Sequence, residues 1–267
     1  MSMRVLMVGD VVGKPGRRAL KLWLAGLVSQ FGIDVVVVNG ENSAGGLGLT
    51  SKVIDELFRY GVHVITTGNH VWDKKEMVTE IMNWQGIVRP ANYPPGVPGE
   101  GWLVHALPTG ERLAVVNISG RVFMDNLDCP FQVMERLLPQ VREQTPAILV
   151  DVHAEATSEK LAIAWFLDGR VSAVVGTHTH VQTADERILP NGTAYLTDVG
   201  MTGPYDGIIG MKRDVVMRRF LYQMPQRFEV ASGPVQLNAV VVEIDGDTGR
   251  AVGIERIRRV EDGDQNS

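Results

Sequence analysis

The chain has 267 residues, with 26 Lys and Arg against 31 Asp and Glu, and a formal net charge of −5. Hydrophobic residues make up 45% and charged residues 21%, which excludes a mainly disordered chain and leaves ample material for a core. The mild acidity argues against a nucleic-acid coat protein with a basic stripe, so no stable DNA binding is expected. A nucleotide substrate stays compatible, because bound metal reverses the local charge of a pocket.

Cys129 is the single cysteine, which excludes an intramolecular disulfide framework and a zinc site built on several thiolates. The amino-terminal run MSMRVLMVGDVVG carries no signal-peptide pattern. No segment reaches the roughly 20 apolar residues of a membrane helix. A soluble, cytoplasmic protein without a membrane partner is expected, and composition leaves a homo-oligomer open.

Apolar runs of strand length recur along the chain, each ending in Gly and polar residues. In order they are Val5–Val8, Val35–Val38, Val62–Ile65, Ala114–Val116, Ala147–Val152 and Ala173–Val175. Continuous apolarity suits strands covered on both faces. Helix-compatible segments lie between them at Arg17–Phe31, Ser51–Arg59, Lys74–Trp84, Phe131–Glu143 and Ser158–Leu167. Residues 85–101 read as a Pro/Gly-rich loop. Gln236–Ile244 and Ala251–Val260 read as a hairpin around Asp245-Gly246-Asp247-Thr248-Gly249. Strand–helix alternation predicts a buried α/β sheet in one domain over 1–267, with 261–267 a frayed tail.

Ligands of α/β sheets bind beyond the carboxyl ends of strands. Those ends carry Asp10, Glu41, Asn42, Asn69, His70, His153, His178 and His180, which include four of the six histidines. Singly, Asp10 reads equally as a helix cap and Glu41-Asn42 as a polar turn. Together, two carboxylates, two amides and four imidazoles predict a pair of divalent cations about 3.5–4 Å apart. Ligands without thiolate favour iron, manganese or zinc over magnesium or calcium. His63 and His105 lie in strand-like runs and read as structural, and Arg17-Arg18 as a solvated helix face. Gly45-Gly46-x-Gly48 is either a phosphate cradle or a plain turn. Asp198 is either support for a histidine or a turn residue. The pocket walls are expected from Gly45–Leu49, residues 90–101 and Thr202–Tyr205.

The order Gly9-Asp10, Gly40-Glu41-Asn42, Gly68-Asn69-His70, His153 and Gly176-Thr177-His178-Thr179-His180 resembles the calcineurin-like metallophosphoesterases, and most of all their bacterial YmdB-type branch. The likeness extends to Thr197–Gly203. Two departures from the wider superfamily accompany it. Asp10-Val11-Val12 replaces the usual Asp-x-His, and Glu41 replaces the usual bridging Asp, as in that branch.

The resemblance implies a layered sandwich of β-sheets flanked by helices, with the metal site at the carboxyl strand ends. It implies that Asp10, Asn42 and His180 hold one metal, that Asn69, His153 and His178 hold the other, and that Glu41 bridges them. His70 would then protonate the leaving oxygen, a role an imidazole suits independently. The two ions would be iron ahead of manganese or zinc, activating a bridging water. The branch implies a phosphodiesterase of cyclic nucleotides, notably 2′,3′-cyclic AMP. A phosphomonoesterase or 5′-nucleotidase is the alternative from the same chemistry, and a slow-turnover nucleotide- or RNA-binding regulator the alternative from another class. The absence of a His-Glu-x-x-His helix argues against a metallopeptidase.

Overall fold

The computed structural model describes residues 2–261. Its strands fill two sheets in blocks. The chain first lays down β1 (Ser2–Val8), β2 (Asp10–Val11), β3 (Val35–Asn39), β4 (Val64–Thr66) and β5 (Ile87–Val88). It then crosses to a second sheet with β6 (Trp102–Ala106), β7 (Arg112–Ser119), β8 (Ile148–His153), β9 (Ala173–Thr177), β10 (Arg187–Ile188) and β11 (Ala194–Leu196). Finally β12 (Met201–Pro204), β13 (Val235–Asp245) and β14 (Ala251–Val260) return to the first. The strand orders are β2-β12-β13-β1-β3-β4-β5, with β14 beside β13, and β10-β11-β9-β8-β7-β6.

Strand alternation explains the continuous apolar runs. Val5, Met7, Val35, Val37 and Val64 of the first sheet face Leu113, Val115, Leu149, Ala173 and Val175 of the second. The alternate residues Leu6, Val36 and Ile65 pack against α1 (Gly13–Phe31) and α2 (Ser51–Arg59). On the far side, Val116, Val150 and Val174 pack against α4 (Pro130–Gln144) and α5 (Thr157–Leu167), which come after the short α3 (Met77–Glu80). The result is the expected helix–sheet–sheet–helix sandwich, in which both faces of each sheet are apolar.

Helix α1 buries Ala19, Leu20, Leu24 and Leu27 on one stripe. It ends where Gly32 takes φ 59° and returns its N–H to the Val28 carbonyl. Asp10 is not a cap: Val12 occupies the N-cap position of α1 and offers no side-chain bond. The helix expected over Lys74–Trp84 shortens to α3 and a 3₁₀ turn at Ile81–Asn83. The Pro/Gly-rich stretch contains β5, and Arg89 shapes the loop after that strand by donating to the carbonyls of Pro90, Val97 and Pro98.

Helix α6 (Arg213–Tyr222) shows no apolar periodicity and buries only Val216. The hairpin forms as expected, β13 pairing antiparallel with β14. Glu261 is no part of a frayed end, since it holds Arg18 and accepts from the Val235 N–H. Residues 262–267 of that expected tail lie outside the described residues. Among the described residues, no helix is long and apolar enough to cross a membrane.

Candidate metal centre

At the carboxyl ends of the parallel strands, the layer between the sheets changes from apolar to polar. The inter-sheet positions that begin Val35-x-Val37 end at Asn39, those beginning at Val64 end at Thr66, and those beginning at Leu149 end at Asp151 and His153. Asn39 and Thr66 of the first sheet both donate to Asp151 Oδ2 of the second, so a buried carboxylate joins the sheets under the site. Burial pushes the Asp151 carboxyl up to about 6, against the pull of His153 and the hydroxyls of Thr66 and Thr177.

His153 Nε2 lies 3.0 Å from Glu41 Oε1, 2.9 Å from Asn69 Oδ1 and 3.1 Å from His178 Nδ1. Ligand atoms of Glu41, His153 and His178 all fall within 4.8 Å of one another. Asp10 Oδ1 is 4.0 Å from both His153 Nδ1 and His180 Nε2, and Asp10 Oδ2 accepts the His178 N–H at 3.1 Å. Asn42 donates through Nδ2 to the Gly46 carbonyl. The His70 N–H donates to Glu41 Oε2, and His70 Nδ1 lies 2.9 Å from Asp73 Oδ2.

Hydrogen-bond partners orient the imidazoles. Thr177 gives its hydroxyl proton to Asp151 Oδ1 and therefore accepts from His153 Nδ1, which turns Nε2 toward Glu41, Asn69 and His178. His180 Nδ1 donates to the Ile209 carbonyl, and His178 Nε2 lies 3.3 Å from Glu155 Oε2. Each ring thus has one nitrogen near an oxygen acceptor, and the other is turned into the cluster. The acceptors converging on His153 Nε2 call for a positive charge there, which a proton on that nitrogen or a bound cation supplies. The buried Oδ1 atoms of Asp10 and Asn42 are also without a hydrogen-bond partner, a cost that ligation removes. The residues fit a metal centre.

Charge is balanced within the cluster. Burial alone would raise Glu41, but His153 outweighs it and holds the carboxyl at about 2. Burial and the His153 charge push His178 down to about 3, keeping it a neutral ligand. His153, depressed by burial, is raised to about 9 chiefly by Glu41. Burial raises the Asp10 carboxyl against the pull of His180 and His153.

Local backbone makes the convergence possible. His178 and His180 adopt φ 97° and 67°, left-handed conformations that side chains with a Cβ rarely take. These bends turn two imidazoles, one residue apart, into one cleft. Asp198 secures the turn by accepting from Thr179 N and Oγ1 and from Lys160 Nζ. Lys160, itself fully buried, also caps the Thr177 carbonyl at 2.7 Å. Gly68 has no Cβ because one would overlap Glu41 Oε2 and the His153 ring.

Other expectations meet mixed outcomes. The Gly46 N–H donates to the Asn42 carbonyl, so this loop is a turn that locks Asn42 rather than a phosphate cradle. Arg17 is no solvated face: with 17% of its side chain exposed, it braces Glu56 and the Ser43 carbonyl. His63 and His105 stack with ring centroids 5.0 Å apart at the amino-terminal end of β4 and on β6, away from the cluster. Of the expected walls, Tyr205 lines a cleft of about 520 Å³ beside His180. A second cavity beside His178 is walled by Phe123, Met124 and Asp125, which the sequence did not suggest. Asp73, Asp151, Glu155 and Lys160 also join the site without a motif to mark them. Asp151 alone carried a signal, a charge inside an apolar strand two residues before a histidine.

A family model described as YmdB-like protein matches residues 6–257. The chain belongs to the YmdB-like family. This YmdB-like chain is 52% identical over 255 residues, 96% of each chain, to the Bacillus subtilis (strain 168) protein named 2′,3′-cyclic-nucleotide 2′-phosphodiesterase. It superposes with TM-score 0.91 on a hypothetical protein from Thermus thermophilus, 46% identical, covering 97% and 100% of the two chains. A structure titled as a novel phosphatase from Mycoplasma pneumoniae matches with TM-score 0.92 and 38% identity over 99% and 95%. The YmdB-like chain therefore has the metallophosphoesterase type of sandwich.

Proposed function

We propose that the chain is a two-metal phosphodiesterase that opens the cyclic phosphate of 2′,3′-cyclic nucleotides. The observation that carries this reading is the convergence of His153 Nε2, His178 Nδ1, Glu41 Oε1 and Asn69 Oδ1 beside the orphaned Asp10 Oδ1. The name of the Bacillus subtilis relative supports the substrate. Asp10, Asn42 and His180 would hold one ion, Asn69, His153 and His178 the other, and Glu41 would serve both. The donor set suits iron, then manganese or zinc. Such a pair supplies Lewis-acid polarisation of phosphoryl oxygens and lowers the pKa of water.

The chain's own residues do the rest. Glu41 is kept ionised by His153, and its Oε2 is fixed by the His70 N–H. Asp73, an acceptor only, accepts the His70 Nδ1–H hydrogen bond and orients the ring. In the form protonated on both nitrogens, His70 gives its Nε2 proton to the departing 2′ oxygen as a water oxygen bonds to phosphorus and the bond from phosphorus to the 2′ oxygen breaks. The nucleoside 3′-monophosphate is the product.

The test is elemental analysis of freshly purified protein together with hydrolysis of 2′,3′-cyclic AMP. About two metal ions per chain, on the two-ion stoichiometry, and metal-dependent formation of 3′-AMP are expected. Protein that stays metal-free and inactive after incubation with iron, manganese and zinc sinks the reading. Faster turnover of p-nitrophenyl phosphate than of bis(p-nitrophenyl) phosphate replaces it with a phosphomonoesterase.

A further inference from the structure

The loop after β7 begins beside the metal cluster, because Ser119 pairs with His153 in register and the Gly120 N–H donates to the His153 carbonyl. Both ends of this loop are clamped. Glu159 of α5 accepts from the Arg121 and Val122 N–H groups, and Asn92 donates to the carbonyls of Ser119 and Asp128. A Cβ on Gly120 would crowd Ala154 and Glu159, so the loop lies tight against the sheet. What this rigid frame holds out is Phe123, with 90% of its surface exposed and φ 62°. A bulky residue in the left-handed region is an outlier, and a phenyl ring left in water forgoes its burial. Strain and exposure together mark a side chain held for something the chain does not contain.

Phe123 lines a cavity of about 320 Å³ whose other walls are Met124, Asp125 and the metal-cluster residues Asn69 and His178. Among the described residues no aromatic ring or guanidinium covers it. Tyr205, on the other side of the cluster, differs, since Arg258 lies over its ring at 5.8 Å and the neighbouring Arg256 is tied to Glu186. The free aromatic surface beside the cluster is therefore that of Phe123.

We infer that Phe123 is the platform on which the nucleobase of the substrate stacks, with Met124 and Asp125 completing a base subsite next to His178. The inference rests on the proposed nucleotide phosphodiesterase activity and adds its specificity determinant. A stacked ring grips any base through its π-face, which gives affinity for nucleotides over base-free cyclic esters.

The experiment uses the metal-loaded full chain as wild type, Phe123→Ala, Phe123→Gly and Phe123→Trp. Glycine relieves the left-handed strain, so a shared loss in the alanine and glycine variants reports the ring and not the fold. The substrates are 2′,3′-cyclic AMP and methyl riboside 2′,3′-cyclic phosphate, which has no base. The ratio of kcat/KM for the nucleotide over the base-free ester falls about tenfold in the alanine and glycine variants, through KM, and the tryptophan variant recovers it. An unchanged ratio, or equal losses on both substrates, overturns the inference while leaving the phosphodiesterase in place. Should neither ester be hydrolysed, calorimetric titration with 3′-AMP decides. Tighter binding by the wild type and tryptophan chains keeps the base subsite and discards the reaction, and equal affinity in all four chains overturns the subsite.

Discussion

Replacing His70 by alanine leaves its backbone N–H on Glu41 Oε2 and removes only the imidazole oriented by Asp73. Metal content is therefore expected to stay at the wild-type level while turnover falls about 10²–10⁴-fold. Elemental analysis and steady-state kinetics on the same preparation check this, and a metal-free His70→Ala protein contradicts the assigned role. Lys160 acts differently, from beneath the site. Its ammonium is the buried partner of Asp198, which in turn holds the turn carrying His178 and His180. Lys160→Met keeps the volume but orphans a buried carboxylate, at a cost of about 3–5 kcal/mol. Denaturant unfolding should show the double variant with Asp198→Asn losing less than the sum of the single losses.

Among the elements, the turn between β13 and β14 depends on Gly249, which has φ 72° and whose Cβ would overlap the Pro146 carbonyl. Gly110, with φ 93° and open space around it, isolates the conformational cost alone. Gly249→Ala should destabilise by about 1–3 kcal/mol and by more than Gly110→Ala, as read from unfolding midpoints. The β9–β10 connection offers a pH test. Burial pushes the Asp185 carboxyl up, but hydrogen bonds from Thr197 and Thr183 outweigh it and hold the group below its ordinary value. A depressed carboxyl adds stability above its unfolded pKa and loses it as pH falls through the folded value. The stability gap between wild type and Asp185→Asn should accordingly be full at neutral pH and close below about pH 4.

Across the whole molecule, the candidate metal cluster is where the two sheets meet at their carboxyl ends, so ligation there would tie one sheet to the other. Ions that bind the folded state alone should stabilise it by about 2.7 kcal/mol at a hundredfold excess over Kd. Chelation should lower the thermal midpoint, and added metal should restore it in a concentration-dependent way. A midpoint unmoved by chelation, with metal loss verified, would separate the cluster from the joint between the sheets.

Much of this architecture was legible in the chain itself. The apolar runs marked strands covered on both faces, and polar residues fell where those runs stop, because a parallel strand buried between layers reaches water only at its ends. That placed Asp10, Glu41, Asn42, Asn69, His70, His153, His178 and His180 at one rim. Pairing across the sheets was not legible. Asp151 reads as an isolated charge until Asn39 and Thr66 arrive from the other sheet. Lys160 reads as a surface helix residue until Asp198, 38 residues on, closes over it. Helix α6 lacked a periodic signal because only Val216 is buried. Phe123 carried no motif, since its meaning lies in a strained backbone beside a histidine from a different strand. Local apolarity determines the elements and their exposed ends. Which polar atoms meet there is decided by contacts distant in sequence, which only the closed sandwich brings within bonding distance.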